Sequence, residues 1–115
     1  MLIENLIYLL TPCSPMVKEM GYLRDSVSIM SRYSRCKREW SVHLRKSRKT
    51  IEDAIGQAPA NGKVIIFGAG LGYDLPLRQL TSHFSQVVLV DLVHALPIKA
   101  KTLFSKKVEL SLIHI

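Results

Sequence analysis

The chain has 115 residues, 48% of them hydrophobic, and 16 Lys+Arg against 9 Asp+Glu give a formal net charge of +7. That length holds one compact domain, and that apolar content excludes a disordered tail. No run of about 20 apolar residues is present, so no membrane-spanning helix is expected.

Residues 2–10 are mostly apolar and read as a short helix. They do not read as an export signal: no Lys or Arg precedes the run, Glu4 interrupts it, and Thr11-Pro12-Cys13 offers no small-residue cleavage site. Pro12 and Pro15 then bend the chain. Met16, Met20, Leu23, Val27 and Met30 follow at spacings of four and three, which places them on one packed helix face. A further helix is expected from about Lys37 to Gln57, with Trp40, Leu44, Ile51 and Ile55 on one stripe.

The charge is concentrated here. Arg32, Arg35, Lys37, Arg38, Arg45, Lys46, Arg48 and Lys49 face the single acid Glu39, so segment 32–49 alone accounts for the net +7. With Tyr33, Trp40 and His43 interleaved, it is suited to a nucleic-acid backbone; a solvated helix face is the plainer account of the same charges. Cys13 and Cys36 form no CxxC pair and have no histidine at ligand spacing, so no metal site is expected and reduced thiols in a cytoplasmic protein are.

Gly56 and the run Ala58-Pro59-Ala60-Asn61-Gly62 close the helical region, 1–61, and act as a turn-rich linker. From 62 to 115 the pattern changes. Val64-Ile65-Ile66-Phe67 reads as a parallel strand buried on both faces. A helix over Asp74 to Phe84 follows, with Asp74 as its cap and Pro76 in its first turn. Gln86 to Asp91 reads as a second buried strand, about Ala95 to Phe104 as a second helix, and Lys107 to Ile113 as a third strand. The expected class is α/β: N-terminal helices, then a truncated Rossmann-like βαβαβ unit on a parallel three-stranded sheet.

Gly68, Gly70 and Gly72 stand at alternate positions between the first strand and its helix, where glycine lets a ligand approach bare backbone. Asp91 ends the second strand 23 residues beyond Gly68, and an acid there can accept hydrogen bonds from both ribose hydroxyls of a nucleotide. Over roughly residues 62–113 the chain resembles the class I S-adenosylmethionine-dependent methyltransferases. Their first motif is an apolar strand ending in GxGxG, and their second is an acid closing the next strand.

The resemblance implies S-adenosylmethionine as cofactor. The backbone of Gly68, Ala69, Gly70 and Gly72 would face its methionine portion, Asp91 would bind the ribose, and Leu92 and Val93 would lie against the adenine. It also implies a seven-stranded sheet, and where the third strand ends the chain supplies only Ile113-His114-Ile115, so the half that would choose a substrate is not expected within these residues. Methyl transfer depends on holding donor and acceptor in line, so no catalytic residue is assigned and activity stays open. Nicotinamide binding would require a third glycine where Tyr73 stands.

His43, His83, His94 and His114 are scattered and read as surface or structural, with His94 nearest the expected pocket. A three-stranded sheet leaves two open edges, which is compatible with a homo-oligomer. The competing expectation is a noncatalytic binding or assembly module that keeps the glycine loop as a fold feature.

Overall fold

The computed structural model describes residues 2–113, so His114 lies outside the described residues. The elements are α1 (Leu2–Leu10), α2 (Pro15–Glu19), α3 (Tyr22–Gln57), β1 (Lys63–Phe67), α4 (Leu77–His83), β2 (Gln86–Asp91), α5 (Leu96–Thr102) and β3 (Val108–Leu112). The three strands form one all-parallel sheet in the order β1-β2-β3, with Val64 opposite Val87 and Val87 opposite Val108. The α/β class and the βαβαβ rhythm are therefore as expected.

The two helices expected over 16–57 are built differently. Met20 caps α2, and Gly21, at φ +87°, turns the chain into α3. That break shifts the helical phase: Val17, Leu23 and Val27 are buried, whereas Met16 and Met20 point outward. Between Tyr22 and Ile55 there is no glycine or proline, so α3 runs for 36 residues. It kinks at Cys36 (φ −111°, ψ 21°), two residues after Ser34, whose Oγ donates to the Met30 carbonyl. Such back-bonding bends helices.

The α4 helix starts later than expected. Leu75 precedes Pro76 and is pushed away from helical geometry, and Leu75 N–H donates to Gly72 O in a turn instead. Asp74 therefore lies before the helix, and Pro76 occupies the cap position without a side-chain cap. The α5 helix keeps Pro97 in its first turn, but it ends at Thr102 and leaves Phe104 exposed.

The β1 strand is covered on one face only. Val64 and Ile66 pack toward the core, whereas Ile65 is 51% and Phe67 72% exposed. Both crossovers step the same way across the sheet, and right-handed connections then put both helices on one side. That side holds the main core: Leu80 of α4 and Ile98 of α5 meet Val87 and Leu89 of β2, joined by Ile55 from the last turns of α3. Each such aliphatic side chain contributes about 1.5–3 kcal/mol on full burial. A second cluster joins Val17, Leu23 and Val27 to Val93, and so ties the N-terminal helices to the loop after β2.

The linker is held by hydrogen bonds. Asn61 N–H donates to His83 O at 2.8 Å, and His83 Nε2 lies 2.7 Å from Ala58 O. His83 is thus structural, as expected from the sequence. No described helix is long and apolar enough to cross a membrane.

Candidate functional site

The carboxyl ends of β1 and β2 bring the glycine loop and Asp91 together. Gly68 N–H donates to Val90 O at 2.8 Å and extends the β1–β2 ladder by one residue before the chain turns. Gly68, Gly70 and Gly72 then take φ of +69°, +55° and +71°, a region that other L-residues enter only with strain. Gly70 N–H donates to Asp91 Oδ2 at 2.8 Å, and Leu92 N–H donates to Oδ1 at 2.7 Å. The half-buried carboxylate is thereby fixed in orientation. Each of its oxygens carries two lone pairs and uses one, so it can still accept two further hydrogen bonds.

The three glycines differ in what they meet. A Cβ built on Gly68 or Gly70 would find nothing within 4 Å, so space is open above both. A Cβ on Gly72 would lie 2.9 Å from Ile98 Cδ1, so packing against α5 demands this glycine. Ala69 turns its methyl into the main core, and Leu92 packs beside Val17, Leu23 and Val27. Of the six residues expected to bind cofactor, the open backbone at Gly68 and Gly70 and the Asp91 carboxylate remain accessible to a ligand. Ala69, Gly72 and Leu92 shape the loop from beneath.

Tyr73 and α3 make a further contact that the sequence did not announce. The Tyr73 ring stacks on Tyr33 at 4.0 Å and 16°, and Arg48 Nη2 donates to the Tyr73 carbonyl at 2.6 Å. Burial, and then the neighbouring Tyr33, push the Tyr73 phenol above its usual pKa. Tyr33 and Arg48 are separated by about 22 Å along an unbent helix, so the kink at Cys36 and the reach of both side chains are needed to bring them onto one residue.

His94 is buried, with Nε2 at 2.8 Å from Ser111 O, and it clamps the loop after β2 onto β3. Its Nδ1 has no partner among the described residues. Its position is structural and does not border open space.

The basic segment divides among several surfaces. Arg35 lines a cavity of about 590 Å³ between α1 and α3, with Arg24, Tyr8 and Ser31. Lys37, Arg45 and Arg48 border a separate hollow of about 330 Å³ on α3. Lys49 pairs with Asp53 at 3.4 Å. Among the described residues no group of three His, Cys, Asp or Glu converges as a metal site would require.

Comparison with known protein families, curated proteins and solved structures finds no match to this chain.

Proposed function

We propose that this protein binds S-adenosylmethionine in a methyltransferase-like site at the carboxyl end of its sheet. The observation that carries the proposal is the Asp91 carboxylate, oriented by Gly70 N–H and Leu92 N–H, with two acceptor positions left beside open backbone. A ribose diol needs two such acceptors, and a methionine tail needs a surface without side chains; Gly68 and Gly70 supply that surface. The bound cofactor would supply an electrophilic methyl group on a sulfonium centre. The chain's own part is to hold the ribose through Asp91 and the tail along the loop, and no residue is assigned to the transfer step.

A second reading, a noncatalytic binding or assembly module, is favoured by a specific observation. Asp91 and Gly72 each have a structural task, in closing the loop and in admitting Ile98, so the fold alone accounts for both residues. The exposed Ile65 and Phe67 on the outer face of β1 would then serve a second copy of the chain. On either reading we place the protein in the cytoplasm, where Cys13 and Cys36 stay as the free thiols observed.

Calorimetric titration with S-adenosylhomocysteine, run beside NAD and beside Asp91→Ala, separates the two. Saturable binding of the homocysteine compound that Asp91→Ala weakens supports the cofactor site. Absence of binding by the folded wild-type chain removes it and leaves the module.

A further inference from the structure

The eight cations of segment 32–49 do not form one field. Lys37, Arg45 and Arg48 converge with Tyr33 and Ser41 around the 330 Å³ hollow on α3, and no acid lines it. Positions 37, 41, 45 and 48 follow one another at helical intervals of four, four and three, so they share a face. Among the described residues no carboxylate lies within ion-pair distance of Lys37, Arg45 or Arg48. Like charges gathered on one helix face are unfavourable without a counter-charge, and no described residue supplies one here.

Two members of the cluster are held in place. Arg48 spends one donor on the Tyr73 carbonyl, which fixes the guanidinium and leaves four donors for another acceptor. Tyr33 is fixed by its stack on Tyr73, and Lys37 Nζ sits 5.7 Å from the Tyr33 ring centroid. Tyr73 directly follows Gly72, so the hollow is anchored to the glycine loop by these same contacts. A fixed guanidinium with two further cations is the donor set that a tetrahedral oxyanion takes; the Ser41 hydroxyl is already spent on the Arg38 carbonyl.

We propose that this hollow binds the phosphate group of a phosphorylated ligand and so seats a phosphate-bearing methyl acceptor beside the cofactor loop. Only the word acceptor rests on the S-adenosylmethionine reading; phosphate binding stands apart from it. A free phosphate, a nucleoside monophosphate and a phosphodiester chain share this chemistry.

Trp40 is the single tryptophan, and its ring lies 6.5 Å from that of Tyr33, so its fluorescence reports on the hollow. The full chain is titrated at low salt with inorganic phosphate, with a nucleoside 5′-monophosphate and with a short single-stranded oligonucleotide. The expected result is a saturable fluorescence change with at least one probe. Lys37→Ala and Arg45→Ala each weaken it about tenfold, while Lys46→Ala, on another part of the helix, leaves it near the wild-type value. The tightest of the three probes identifies the form in which the phosphate arrives. Equal losses for Arg45→Ala and Lys46→Ala would mean diffuse attraction to a charged helix and would overturn the site, as would no saturable change with any probe. Titration of the same variants with S-adenosylhomocysteine keeps the two proposals separate: phosphate binding without homocysteine binding ends only the cofactor reading.

Discussion

Replacing Gly72 by alanine tests the strongest packing statement the structure makes about the loop. Gly72 has φ +71°, which costs an L-residue about 1–2 kcal/mol. Its new Cβ would stand 2.9 Å from Ile98 Cδ1. Ile98 is 0% exposed and cannot swing into solvent, so overpacking adds about 1–3 kcal/mol. The expected loss for Gly72→Ala is the sum, roughly 2–5 kcal/mol. Gly70→Ala has the same kind of strain at φ +55° but meets open space, so about 1–2 kcal/mol is expected. Ile98→Val removes the clashing Cδ1 at its own cost of about 0.5–1.5 kcal/mol. In the double variant it should recover most of the overpacking, a favourable coupling of about 1–3 kcal/mol. Urea unfolding followed by Trp40 fluorescence measures the four variants against the wild-type chain. The account is refuted if Gly72→Ala costs no more than Gly70→Ala, or if Ile98→Val adds its full cost on top of Gly72→Ala.

Three further outcomes follow from the same contacts. Asp91→Asn leaves an amide nitrogen facing one of the two backbone N–H groups and should lower stability by about 1–3 kcal/mol in urea unfolding without any ligand; an unchanged midpoint would show that these hydrogen bonds do not hold the loop. Tyr33→Ala should cost about 0.5–1.5 kcal/mol beyond the lost burial and Tyr33→Phe much less, because the stack on Tyr73 uses the ring and not the hydroxyl; equal losses would count against the stack. Burial raises the Tyr73 phenol above 10.0, so its stabilising share is fully present below pH 10 and is lost as pH rises through the folded value. Tyr73→Phe should flatten part of that alkaline decline in unfolding free energy, and an identical decline in both chains would count against the shift.

What could be read from the sequence was whatever depends on near neighbours. The run Val64–Phe67 and its bounding glycines identify β1, and Gln86–Asp91 places an acid at the end of the next strand; parallel pairing of the two then brings Asp91 to Gly70. The one-sided covering of β1 was not legible, because an apolar run reads the same whether one face or two are packed. Exposure of Ile65 and Phe67 depends on which side α4 and α5 take. The single helix α3 was hidden by Cys36: its stripes before and after the kink are out of phase, and a kink looks in sequence like an end. Tyr33 and Arg48 carry no signal of meeting Tyr73, since a bend in the helix makes that contact.

The loop shows why a glycine pattern alone is a weak guide to ligands. Gly72 would be retained by any chain that packs an isoleucine from α5 beneath this turn, and Asp91 by any chain that needs Gly70 N–H and Leu92 N–H satisfied. Neither requirement involves a cofactor. Gly68 and Gly70 differ, because no atom of the protein stands where their Cβ would be. Their φ values still call for glycine, but the space above them meets no structural need. Gly21, Gly56 and Gly62 have the same open space, so it does not mark a site by itself; a ligand lying on the loop would occupy it, and Gly70→Ala carries the sharpest distinction. With a stability loss of only about 1–2 kcal/mol it should leave the fold intact. If its Cβ also abolishes S-adenosylhomocysteine binding, the ligand lies on the loop; if the wild-type chain binds and the variant binds equally, the ligand sits elsewhere and Asp91 is chiefly a loop clamp.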